Sequence, residues 1–175
     1  MTRSTHKFST AFFSAAILVV MLALFLAVIN RATNAAPAPD DQVSWTATGT
    51  AVLTSASKLP GGLTQLDGTT TGNATHLGNF TGPVTRIQDN HGNFNTTFVF
   101  ISANEKDTVF LTTNGRFETS KDKCLITSTG TYTVTGGTGS FANATGSGTI
   151  ATQTDLCAGT ALGTFTGTIS RPNSN

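Results

Sequence analysis

Charge is scarce in this chain. Only 11% of its 175 residues are charged, about half the roughly 25% usual in globular proteins, which argues against a long charged helix or a coiled coil. Ten basic residues stand against nine acids, a net charge of +1, so the electrostatic footprint of a nucleic-acid binder is missing. The acids are scattered singly, and none forms the paired carboxylates of glycosidase chemistry. The G-x-S-x-G elbow of serine hydrolases is also missing. Beyond Pro39 no segment carries the 3.6-residue apolar period that specifies a helix. What is abundant is Thr, with 35 residues, and Gly, with 18. Gly is the poorest helix former after Pro, whereas β-branched Thr suits strands. Such a composition specifies an all-β domain with many turns.

The apolar residues are concentrated at the start. Arg3, His6 and Lys7 precede a run from Ala11 to Ile29 broken only by Ser14, and small residues from Ala32 to Ala36 lead into Pro37. This is the layout of a secretory signal peptide over residues 1–35, with Thr33 and Ala35 at the −3 and −1 positions of the cleavage site. Residues 36–42 then form a spacer and 43–171 the domain. The run from Ala11 to Ile29 is also long enough to span a bilayer as an uncleaved leader helix, so a membrane is a partner only if the leader is retained. Both readings place the domain outside the cytoplasm. Without the leader, seven basic residues face nine acids. In an oxidising compartment Cys124 and Cys157 pair most simply with each other. The bridge closes a loop of about 34 residues, worth roughly 4 kcal/mol in the chain-entropy model.

Four segments alternate with the period of two that marks strands. In Val43–Thr54, Val43, Trp45, Ala47, Gly49, Ala51 and Leu53 oppose a face that is mostly Thr. In Cys124–Thr135, Ile126, Ser128, Gly130, Tyr132 and Val134 oppose Leu125 and five Thr. Thr160–Ser170 sets Ala161, Gly163, Phe165, Gly167 and Ile169 against Thr. Thr69–Thr81, read as one strand, sets Gly72, Ala74, His76, Gly78 and Phe80 against Thr, Asn and Leu77. The Thr faces point to solvent and the mixed faces to the core. Phe94–Ala103 is apolar on both faces and reads as central or covered. Gly82–Gln88 and Thr145–Leu156 are weaker strands, and Asp107–Thr113 and Gly115–Ser120 read as one broken strand or as a pair around Asn114-Gly115, a hairpin signal. About eight antiparallel strands follow. Closure into a barrel removes their edges, with a two-sheet sandwich as the alternative.

Gly130–Gly146 reads GTYTVTGGTGSFANATG. It resembles the strand–turn–strand signature of the allene oxide cyclase-like barrels and the plant dirigent proteins, through Gly136, Gly137, Thr138, Gly139, Phe141, Ala144 and Gly146. Ala74–Thr81 is similar to the ATHLG-x-F/Y-T segment of secreted bacterial proteins assigned to that class, and Ser102–Thr108 to their AANGDT hairpin. The resemblance implies an eight-stranded antiparallel β-barrel in which Gly136, Gly137 and Gly139 permit the turn and Phe141 plugs one end. The catalytic residues of neither group have a matching motif here.

Trp45, His76, Phe80, Tyr132 and Phe165 share the inward faces and are the candidates to line a pocket, with His76 as its polar group. Gly137–Ala142 matches a relaxed G-x-G-x-x-A pattern, but it leads into a strand where a nucleotide site needs a helix. Asp89-Asn-His91-Gly92-Asn93 has the composition of a hairpin turn and too few ligands for a metal, so neither a metal nor a cofactor is expected. Sequons occur at Asn73, Asn79, Asn95 and Asn143. Thr-rich faces could order water as in ice binders, but that needs a flat array and a barrel face curves. The expected function is non-enzymatic: binding of a small apolar ligand, or service as an extracellular interaction module, with homo-oligomers left open. An isomerase or cyclase acting on an apolar substrate inside the barrel is the alternative.

Overall fold

The computed structural model describes residues 41–121, 123–170 and 172. The leader over residues 1–35 lies outside them. Eight antiparallel strands follow one another around a closed barrel. They are β1 (Gln42–Leu59), β2 (Leu63–Ala74), β3 (Gly78–Gln88), β4 (Asn93–Ser102), β5 (Thr108–Thr119), β6 (Leu125–Thr138), β7 (Gly146–Asp155) and β8 (Thr160–Ser170). The last strand returns to the first along a ladder from Gln42↔Ser170 to Val52↔Thr160. That ladder excludes the sandwich, since it leaves no edge strand unpaired.

The alternating faces explain how these residues hold the barrel. Trp45, Ala47 and Ala51 of β1, Phe98 and Phe100 of β4, Tyr132 and Val134 of β6, and Phe165 and Ile169 of β8 all point into one core. Outward Thr side chains meet across strands, with Thr46 opposite Thr166, Thr166 opposite Thr149, and Thr149 opposite Thr131. Each such pair contributes a few tenths of a kcal/mol, up to about 1. Inward glycines make room for the aromatics. A Cβ on Gly148 would lie 2.6 Å from Tyr132 Cε1, and one on Gly167 would lie 2.6 Å from the Tyr132 hydroxyl. The barrel therefore encloses large rings only because small residues face them.

Strand direction divides the connections between two ends. The connections at 75–77, 103–107 and 139–145 lie at one end, where β1 starts and β8 finishes. Those at 60–62, 89–92, 120–124 and 156–159 lie at the other.

Three expectations are corrected. His76 does not face inward. It is exposed at φ 67° in the 75–77 turn that joins β2 to β3, because the chain reverses within Thr69–Thr81 and the period of two does not run through the turn. Of the two readings of 107–120, the hairpin at Asn114-Gly115 is not formed and the single strand is: the dipeptide is the middle of β5, where Asn114 pairs with Asn95 on one side and Thr131 on the other. Ladders on both flanks hold that dipeptide extended, and a local turn preference does not outweigh them. Finally, β2 begins at Leu63, before the Thr-rich stretch. Leu66, Gly68 and Thr70 thereby face inward in step with Gly72 and Ala74.

Candidate functional site

The barrel interior has two unlike halves. Toward the end where the chain enters β1, Trp45 lies 5.4 Å from Tyr132, 6.1 Å from Phe165 and 6.3 Å from Phe100, ring centre to ring centre. Phe80 stacks on Phe100 at 3.9 Å. These rings fill the space between them with the offset and edge contacts aromatic pairs favour. The Tyr132 hydroxyl donates to the Thr168 carbonyl at 3.2 Å, and burial pushes its pKa up to about 12. Trp45 Nε1 is buried without a hydrogen-bond partner. Four of the five pocket candidates, Trp45, Phe80, Tyr132 and Phe165, are thus brought together, but as packed core. The fifth, His76, is exposed in the 75–77 turn at one end of the barrel.

The turn between β6 and β7 closes this half. Phe141 is buried in the core, and Gly139 adopts φ 60°, where a Cβ would lie 2.5 Å from the Lys106 carbonyl oxygen. Ser140 donates its backbone N–H to the Asp107 carboxylate at 2.7 Å, the main reason that carboxyl is held below its ordinary range. Gly136 has φ 143°. A Cβ on Gly137 would crowd the Phe141 carbonyl oxygen at 2.7 Å. Two of the stretches that carry the family resemblance therefore touch one another, through Asp107 and Ser140.

The other half holds a cavity of about 60 Å³. Its walls include Ala51, Leu66, Val84, Phe94 and Ile150, and Phe98 forms the floor against the aromatic cluster. None of the five pocket candidates lines it. Among the described residues Arg86 on β3 is the one ionisable residue that does. It is only 9% exposed. Its Nε donates to Gln88 Oε1 at 2.8 Å and its Nη1 to Ser128 Oγ at 3.1 Å. The guanidinium lies over the Phe94 ring at 4.3 Å and near Phe117 at 5.2 Å, cation–π contacts that partly replace lost water. Nη2 has no partner. Burial lowers the pKa of this guanidinium to about 10, so it remains charged at neutral pH.

Sequence reasoning passed over Arg86, although a signal was present. Phe80, Val84 and Arg86 share one face of β3, and a charge at an inward position is unusual unless it is paired or used. The neighbouring carboxylates are committed elsewhere. Asp67 accepts from Gln65, Thr85 and Ser55. Asp89 accepts the backbone N–H groups of His91 and Asn93, each at 2.8 Å, which is the hairpin-turn role. Among the described residues no three His, Cys, Asp or Glu side chains cluster as metal ligands.

A Cys124–Cys157 disulfide, Cα to Cα 5.2 Å, ties the 120–124 and 156–159 connections at the cavity end. It extends the β6–β7 ladder beyond Leu125↔Asp155 and is consistent with an extracytoplasmic location. No family model, curated protein or solved structure matches the chain.

Proposed function

We propose that this chain is an extracytoplasmic binding barrel that takes a small, mainly apolar ligand without transforming it. The observation that carries the reading is the contrast between the two halves of one interior. The aromatic half is filled, whereas the half at the disulfide-tied end keeps an apolar-walled cavity of about 60 Å³. That volume is well below the roughly 300–1,000 Å³ of drug-sized pockets. The cavity therefore suits a short molecule, or one end of a longer molecule whose remainder leaves through the mouth. The GGTG-x-F turn supports classing the barrel with the allene oxide cyclase-like and dirigent-like folds. The isomerase or cyclase alternative would use the same cavity, with Arg86 as its one ionisable lining group.

A second reading, an extracellular interaction module, draws on a different surface. Val52 and Leu162 point outward from adjacent strands and are 59% and 56% exposed. The register sets Leu162 opposite Thr50, two residues from Val52.

Native mass spectrometry of the protein recovered from its secreting cell tests the first reading. The expected spectrum shows a chain shortened at residue 35 or 36, one disulfide, and a non-covalent small-molecule adduct. Ala51→Leu, which fills the cavity from β1, should abolish the adduct. A chain that carries no adduct and binds no apolar probe refutes ligand binding. An adduct that survives Ala51→Leu moves the site elsewhere.

A further inference from the structure

We infer that the cavity selects a small monocarboxylate with an apolar tail, its head accepting hydrogen bonds from Arg86 Nη2 and Thr152 Oγ1. The inference rests on the ligand-binding reading and names the ligand's chemistry. Both donors line the cavity, and both are buried with no hydrogen-bond partner in the protein. Buried polar atoms are nearly always paired, so each orphan calls for an explanation. These two converge. Thr152 is the direct cross-strand partner of Ser128, and Ser128 Oγ accepts from Arg86 Nη1 at 3.1 Å. Side chains of such neighbours stand within about 5.5 Å of each other at the Cβ atoms.

No acid among the described residues balances the guanidinium. Among the described residues the one ion pair joins His91 to Asp89, and the Asp67 carboxylate is taken up by Ser55, Gln65 and Thr85. A single buried cation is neutralised by a single anion, whereas a dianion would leave excess charge among apolar walls. A carboxylate, with two acceptor oxygens, also meets two separate donors, Nη2 and Thr152 Oγ1, better than a spherical ion does. Around this head the walls include Leu66, Val84 and Phe94, which suits a hydrocarbon tail.

The test titrates the purified protein with butanoate, hexanoate and octanoate, and with the matching primary alcohols. Calorimetry gives affinity, and the Arg86 Nε–Hε resonance reports contact at the guanidinium. The acids should bind at least tenfold more tightly than the alcohols and shift that resonance. Arg86→Met should erase the preference while leaving alcohol binding in place, and Thr152→Val, which keeps the shape of the site, should weaken the acids severalfold. Equal binding of acid and alcohol overturns the carboxylate assignment and leaves the ligand-binding reading standing. So does a preference that survives both substitutions, or an equal shift of the Arg86 resonance by chloride alone. Failure of every acid and alcohol to bind overturns both.

Discussion

Replacing Arg86 by Met should make the protein more stable, a result that separates a functional charge from a structural one. The guanidinium is held at about 10 where 12.5 is ordinary, with burial as the cause. At about 1.4 kcal/mol for each pH unit, its charged form carries a penalty of roughly 3 kcal/mol in the folded state. Opposing this are two hydrogen bonds to neutral partners, Gln88 and Ser128, and the rings of Phe94 and Phe117. Together they offset roughly 1–2 kcal/mol. Met fills nearly the same length with apolar atoms and removes the orphaned Nη2. The expected gain is about 1–2 kcal/mol, which for a domain of this size raises Tm by about 4–7 °C. The sign of the pH dependence follows from the lowered pKa. Folded and unfolded states are both protonated below about pH 10, so the penalty is full there and the gain constant. It shrinks as pH rises from about 10 toward 12.5, where the folded state alone has lost the proton. Urea unfolding followed by circular dichroism, at several values between roughly pH 5 and 9, measures the difference directly. A loss of more than about 1 kcal/mol in the Met variant would refute the reasoning, because breaking a net-stabilising buried charge network costs about 3–5 kcal/mol.

Three further outcomes are expected. Cys124→Ser with Cys157→Ser frees a loop spanning a separation of 33 residues, so the variant should lose up to about 4 kcal/mol; an unchanged urea midpoint would show that the β6–β7 ladder alone holds that end. Gly148→Ala drives a methyl against the Thr166 carbonyl oxygen and toward Tyr132 Cε1 at 2.6 Å, and should cost at least about 1–3 kcal/mol. Gly163→Ala meets only ordinary contact, 3.4 Å to Thr152 Cγ2, and serves as the control; equal melting temperatures for the two would disprove the close-packing account of Gly148. His76→Gly should leave ligand affinity unchanged and raise stability by about 0.5–1 kcal/mol, since His76 is exposed at φ 67° and glycine adopts that conformation without strain. A drop in affinity on calorimetric titration would return His76 to the site.

Strand faces were legible wherever a rule between neighbouring residues was enough. In Cys124–Thr135, Ile126, Ser128, Tyr132 and Val134 are buried as alternation requires, because consecutive side chains on a pleated strand must point to opposite faces. His76 marks the limit of that rule. Alternation can be counted through a turn on paper, but the turn reverses the chain, and only the ladder from Ala47↔Ala74 onward shows where β2 stops. Asn114-Gly115 marks the opposite limit, a local turn signal overruled by two flanking ladders.

Thr and Gly abundance, the period of two and the spacing of turns were therefore enough to specify an all-β domain of about eight strands, and the two cysteines to specify its crosslink. Closure was expected from the need to remove strand edges and from the GGTG-x-F resemblance, and the β1–β8 ladder bears it out, whereas the filling of one half by aromatic rings and the cavity in the other half were not legible in any segment. The space left inside a barrel is the difference between its enclosed volume and the side-chain volumes contributed by all eight strands, and no single strand contains that difference. The same holds for Arg86. Its inward position could be read from β3, but its neutral partners could not: they include Ser128, 42 residues away, with Thr152 beside it. A charge acquires its meaning only from the neighbours that folding brings to it.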